Sequence, residues 1–365
     1  MDDIPSITTE AEADAYLHDL AHRRTKLEKL LTLLDSPGHA GSGATPSTVV
    51  HEDGTARLLR IQPEAAPNQA GAPVLFISAP VSRYFVLDLL PGRSFVGHVA
   101  AAGFDVYLLD FGDPDTPTRF ADLDYYVNGL IRRAVRQISA RTGSDSIAIV
   151  GYCLGGTLSL LYSALYPEKV SRLALLTTTV DGDVKGGIPW IAHCLGVEGE
   201  SYDNPRLVPS STVKSWFEML APGTNSLAGR TSDLWNRLDQ PVDRLRDVQT
   251  MATWVDDAVP ASGRLLAELY RKFGPGRNGI RRGTATVADR EIDLSRLTMP
   301  VLSVSAAKDA IAPPEGVDVI TELIPHAHVV RLPGGHVGIV AGRTADRLWS
   351  ITTTFLSTGE AADVA

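Results

Sequence analysis

Of the two cysteines in this chain, Cys153 lies between glycines in GYCLGG, residues 151–156, where the apolar run SIAIV gives way to TLSLLYSALY. A cysteine at a sharp turn from strand into helix can act as a nucleophile, because the partial positive charge of the helix N-terminus suits a thiolate. Glycine is required on both sides, since so tight a turn brings neighbouring backbone into the space a Cβ would fill. The plainer alternative is a small buried residue that packs as a hydrophobe. A nucleophile also needs a base and a group to orient that base, in the chain order nucleophile, acid, histidine. Asp309 follows the apolar run PVLSVSA and His336 follows HVVRLP, so both stand at strand ends in the required order. Alone, each reads as a loop aspartate or an ordinary imidazole; together with Cys153 they point to a triad. Its oxyanion hole would use the backbone N–H of Leu154, just after the nucleophile, and that of Val81 in the loop after PVLFIS.

Other residues compete weakly for a role. His193 adjoins Cys194, but sequence neighbours point apart, and Cys194 reads as packing. His326 and His328 lack companion ligands at metal-binding spacing, so no metal is implied. Neither GxGxxG nor a Walker loop occurs, and no cofactor is expected. Arg271, Lys272, Arg277, Arg281 and Arg282 form a basic stretch with two readings. It is either a solvated face or a contact for the phosphates of CoA or a phosphopantetheine carrier.

The elements that must hold these residues follow from the hydrophobic pattern. Strands are expected at 57–61, 73–78, 104–110, 146–151, 171–177, 300–306 and 328–333, with helices between most of them, as at 125–143. That alternation implies a mostly parallel sheet covered on both faces. Thr9 and Glu12 have capping-box spacing, and Tyr16, Leu17, Leu20, Leu27, Leu31 and Leu34 recur at helical intervals. The expected organisation is an N-terminal amphipathic helix and linker over 1–48, a core over 49–181 and 293–365, and a cap inserted at 182–292. The linker is the Gly-, Ser- and Pro-rich stretch 36–48, and the cap holds Trp190, Trp216, Trp235 and Trp254.

Composition bounds the function. The chain's 365 residues can bury a large core without staples, and 43 acidic against 34 basic residues give a net charge of −9. That charge disfavours nucleic acid as a partner. Two cysteines make no disulfide framework, which fits a reducing cytoplasm. With no apolar run of about 18 residues and no secretory pattern at the start, neither a membrane span nor secretion is expected.

Several segments together resemble the catalytic subunit of class III polyhydroxyalkanoate synthases, which have the α/β-hydrolase fold. They are APVSRYFVLDL, DVYLLDFGDPD, LDYYVNG, GYCLGGTLSLLYSALYPEKV, ATWVDDAVPASG, KDAIAPP and LPGGHVGIV, in order from about residue 50 to 345. The resemblance implies that Cys153 carries the acyl chain, that His336 activates it, and that Asp309 helps deprotonate a substrate 3-hydroxyl. It also implies an acyl-CoA or acyl-carrier thioester as donor and a second, non-catalytic subunit. A homodimer or hetero-oligomer and a place at the surface of polyester granules follow from the same likeness. Two positions depart from the pattern: Ala310 stands where a histidine is usual and Gly182 where a phenylalanine is usual. A methyl group at 310 is expected to slow alcohol attack more than acylation of Cys153. Three activities fit: polyester synthesis, transfer of a single acyl group to a small alcohol, and a weakly hydrolytic or non-catalytic granule protein. The complete triad speaks against the third.

Overall fold

The computed structural model describes residues 7–35, 43–62, 71–194, 205–220 and 227–361. Its centre is an eight-stranded sheet: β1 (Ser47–Asp53), β2 (Ala56–Ile61), β3 (Pro73–Ile77), β4 (Asp105–Asp110), β5 (Ile147–Tyr152), β6 (Val170–Leu176), β7 (Val301–Ala306) and β8 (His328–Leu332). The strand order is β1-β2-β4-β3-β5-β6-β7-β8. All pairings are parallel except β1 with β2 and β2 with β4. The strands β3, β4, β5 and β7 are buried on successive residues because both faces are covered. In β3, Leu75 and Ile77 face one core while Val74 and Phe76 face the other.

The first core is closed by α3 (Arg132–Thr142) and α4 (Leu154–Leu165), and the second by α2 (Phe95–Ala101) and the C-terminal helix Ala345–Thr358. β1 is the strand that the hydrophobic pattern does not show. It is an edge strand whose residues STVVHED are mostly polar and at least partly exposed, so it lacks a continuous apolar signal, and it begins inside the stretch read as linker. Residues 36–42 of that linker lie outside the described residues.

Between β6 and β7 the chain leaves the sheet and builds a helical cap. Among the described residues its longer helices are α5 (Ile188–Cys194), α6 (Ser210–Leu220), α7 (Leu227–Arg237), α8 (Val242–Asp256) and α9 (Gly263–Phe273). The Ser262 hydroxyl caps α9 by accepting from the Leu265 N–H.

The N-terminal helix α1 (Glu10–Asp35) forms with the expected capping box: Thr9 N–H donates to Glu12 Oε2 at 2.9 Å and Glu12 N–H to Thr9 Oγ1 at 3.2 Å. Of the leucines that recur at helical intervals, Leu17, Leu20, Leu27 and Leu31 are exposed, and the helix seats itself through Leu30 and Leu33 against Leu234, Leu238 and Leu245 of the cap. Among the described residues no helix is long and apolar enough to cross a membrane.

Candidate active site

The parallel register brings the ends of β5, β6 and β7 level, with Tyr152 beside Leu176 and Leu176 beside Val304. Every functional residue expected from the sequence follows one of these carboxyl ends or those of β3 and β8. Cys153 occupies the turn between β5 and α4 with φ 58° and ψ −128°, a left-handed conformation that costs a non-glycine residue of order 1–3 kcal/mol. The turn is held by the Cys153 N–H, which donates to the Leu176 carbonyl at 2.9 Å. The flanking glycines are a matter of space. A Cβ on Gly151 would lie 2.5 Å from Ser159 Oγ, and one on Gly155 2.3 Å from the carbonyl oxygens of Ile77 and Ser78.

Asp309, after β7, and His336, after β8, form a dry pair. His336 Nδ1 and Asp309 Oδ2 are 2.7 Å apart, with the side chains 6% and 0% exposed. The other carboxylate oxygen, Oδ1, accepts the N–H groups of Ile311 and Ala312, each at 2.8 Å. Both oxygens of Asp309 are therefore committed, and the carboxylate cannot rotate. Burial works against a charged imidazole, but the charges of Cys153 and Asp309 and the hydrogen bond that the ring donates to Asp309 outweigh it and raise His336 to about 10. The charge of Cys153 favours the protonated ring, while the buried Nε2 makes no hydrogen bond of good geometry. Loose geometry at this contact is usual before substrate binds.

Tyr152, a residue the sequence did not single out, packs its ring against His336 at a centroid distance of 5.2 Å. Its hydroxyl donates to the His336 carbonyl oxygen at 3.3 Å.

In front of Cys153 lies a cavity of about 230 Å³ whose walls are nearly all apolar. Val81 and Leu154 line it beside Cys153, while Val213, Trp216, Leu266 and Phe273 are among the cap residues that close it. Leu154 is the first residue of α4, so its N–H has no acceptor within the helix and is free to meet a developing oxyanion.

The remaining candidates fall elsewhere. His193 Nδ1 meets Tyr270 Oη at 3.1 Å, Cys194 is exposed, and His326 Nε2 meets the Met299 carbonyl at 3.0 Å. Arg281 pairs with Glu322 at 2.7 Å and with Asp181 at 3.3 Å, and Arg282 lies 3.7 Å from Asp183. Neither arginine lines the cavity; both tie the cap to the loop after β6.

Ala310 is exposed and outside the cavity wall, whereas Gly182 is part of that wall. A Cβ on Gly182 would come 1.9 Å from the carbonyl oxygen of Phe273, so glycine here lets the cap backbone settle on the core. The Asn278 amide secures the contact, accepting from the Gly182 N–H at 3.1 Å and donating to Asp181 Oδ1 at 2.7 Å. None of this was legible in sequence, because nothing local marks Asn278 or Tyr152.

A sheet of this order with its functional residues at the carboxyl ends defines an α/β-hydrolase fold, and a family profile described as alpha/beta hydrolase fold matches residues 82–192. A serine hydrolase from Cycloclasticus zankles superposes with a TM-score of 0.50 at 14% identity, covering 86% of this chain and 98% of that one. This likeness bears on the fold alone. Within that class the chain belongs to the poly(3-hydroxyalkanoate) polymerase subunit PhaC family. It is 31% identical to the Allochromatium vinosum member over 84% of this chain and 86% of that protein. It is equally 31% identical to the Haloferax mediterranei member over 84% of this chain, which spans 63% of that protein's length. The Synechocystis member is 29% identical over 82% of this chain and 81% of that protein.

Proposed function

We propose that this protein is an acyltransferase that makes polyester from 3-hydroxyacyl-CoA, with Cys153 as the nucleophile. The observation that carries the reading is a cysteine held in a strained turn at the floor of an apolar cavity, backed by a buried histidine–aspartate pair, in a chain of the PhaC family. The Cys153 sulfur attacks the thioester carbonyl carbon, the bond from that carbon to the CoA sulfur breaks, and His336 delivers the thiol proton to the departing CoA thiolate. N–H groups of Leu154 and Val81 take up the charge on the carbonyl oxygen. One thioester replaces another at nearly equal free energy, so the acyl group stays activated. A hydroxyl then attacks the acyl-enzyme and its proton passes to His336. As the new C–O bond forms, the carbon–sulfur bond to Cys153 breaks and the enzyme is restored. Apolar cap residues favour an alcohol over water as the acceptor.

The geometry supports Asp309 as the group that orients His336. Both its oxygens are occupied and it does not line the cavity, so direct deprotonation of substrate is not its part. No step calls for a cofactor, and acyl-CoA is a substrate. The class III type, a second non-catalytic subunit, a homo- or hetero-oligomer and a granule-surface location belong to this reading through the sequence resemblance. The test is purified protein with 3-hydroxybutyryl-CoA, with and without a candidate partner subunit, following CoA release and insoluble polymer. Sustained release with polymer upholds polyester synthesis; release that stops near one equivalent favours transfer of a single acyl group.

A further inference from the structure

One residue in the cavity wall is strained and polar at once. Thr177, directly after β6, has φ 45°, a conformation that a β-branched residue rarely adopts. It is 1% exposed and lines the cavity that contains Cys153, yet its Oγ1 is buried without a hydrogen-bond partner. A buried unpaired hydroxyl costs about 1–3 kcal/mol, and it comes on top of the backbone strain. Two nearby hydroxyls are satisfied: Thr178 Oγ1 donates to the Leu176 carbonyl at 3.2 Å, and Tyr270 Oη, also in the wall, meets His193. The backbone of Thr177 is pinned by its N–H, which donates to the Val304 carbonyl at 2.7 Å.

Its place relative to the nucleophile is equally constrained. The Leu176 carbonyl accepts the Cys153 N–H, so Thr177 stands one residue beyond the contact that holds the elbow. In a 3-hydroxyacyl group the hydroxyl is two carbons from the carbonyl that Cys153 attacks, so it must lie near the cavity floor.

We propose that Thr177 recognises the C3 oxygen of the acyl group bound at Cys153, making it the residue that selects 3-hydroxyacyl over plain acyl thioesters. The inference rests on the acyltransferase reading of the site. A donor that lacks the oxygen leaves Thr177 unpaired, and a site built around one hydrogen bond rejects such an analogue.

The experiment is single-turnover CoA release by the full chain with 3-hydroxybutyryl-CoA and with butyryl-CoA. It compares wild type, Thr177→Ser, Thr177→Val and Thr177→Ala. The readout is the ratio of the two rates within each variant, which does not depend on the folded fraction. Wild type and Thr177→Ser should prefer the hydroxylated donor by roughly five- to tenfold, the worth of one neutral hydrogen bond. In Thr177→Val and Thr177→Ala the ratio should fall to near one. Melting temperature should hold or rise in Thr177→Val, since the lost hydroxyl has no partner in the free protein; a structural role would lower it. A wild type without preference, or a ratio unchanged in both hydroxyl-free variants, overturns the assignment. Failure of wild type to release CoA from either donor would instead remove the acyltransferase reading, and this inference with it.

Discussion

At the scale of single residues, the covalent role proposed for Cys153 coincides with a structural demand at the same position. The left-handed turn tolerates a small side chain, so Cys153→Ala is expected to fold and to lose acyl transfer by several powers of ten, as removal of a covalent catalyst does. Retention of more than about a tenth of the wild-type CoA release would show that another group carries the acyl chain. Asp309→Asn should cut kcat by about 10³-fold or more, because the amide would present its NH₂ group to His336 Nδ1 or turn away from the N–H groups of Ile311 and Ala312. The raised pKa of His336 also has a consequence for stability. In the folded chain the ring keeps its proton up to about pH 10, whereas an unfolded histidine gives it up near 6.5. The stabilisation is therefore complete below about pH 6.5 and is lost as pH rises toward 10. Melting temperature measured from pH 6 to 10 should fall more steeply in wild type than in Cys153→Ala, which removes one of the two charges that hold the proton.

At the scale of elements, the loop after β6 and the segment after α9 form a clamp of Asp181, Gly182, Asp183, Asn278 and Arg281. Neutralising Arg281 and Arg282 together should lower melting temperature by a few degrees and leave KM for the acyl donor unchanged. A rise in KM with melting temperature intact would return these arginines to a CoA-binding role. The N-terminal helix is likewise tied to the chain's own cap. Lys29 Nζ donates to the Leu238 carbonyl at 2.7 Å, and the Gln249 amide donates to the Leu33 carbonyl at 2.7 Å. Leu33→Ala should destabilise the fold by about 2 kcal/mol, read from denaturant unfolding, as for a buried leucine whose site partly collapses.

For the whole molecule, the cap is seated on the core beside the loop that carries Val81, the proposed oxyanion donor. Arg83, two residues beyond Val81, pairs with Asp113 at 2.7 Å and with Asp257 at 3.1 Å, and its carbonyl accepts the Trp254 indole N–H at 2.9 Å. Arg93 reaches Asp247 at 2.5 Å and the Gly342 carbonyl at 2.9 Å. If this junction holds the cap closed, Arg83→Ala should shift acyl-enzyme breakdown toward hydrolysis. Free 3-hydroxybutyrate should then increase relative to ester product. An unchanged partition would mean that the cap excludes water without it.

That Cys153, Asp309 and His336 come together at one end of the sheet could be anticipated from the chain because each lies just past an apolar strand, and strands announce themselves locally through runs of buried residues. The same holds for the sheet interior and for glycines 151 and 155, whose need follows from the turn between them. The edge strand β1 gave little signal, since its residues are all at least partly exposed. What surrounds the site was beyond local reading altogether. The packing of Tyr152 on His336, the pairing of Asp309 with His336 and the engagement of Arg281 by acidic residues all depend on segments far apart in sequence. So does the unpaired hydroxyl of Thr177. Residue type and spacing settle which groups can react, but which of them are desolvated, paired or left without a partner depends on neighbours brought close only when the cap closes over the sheet.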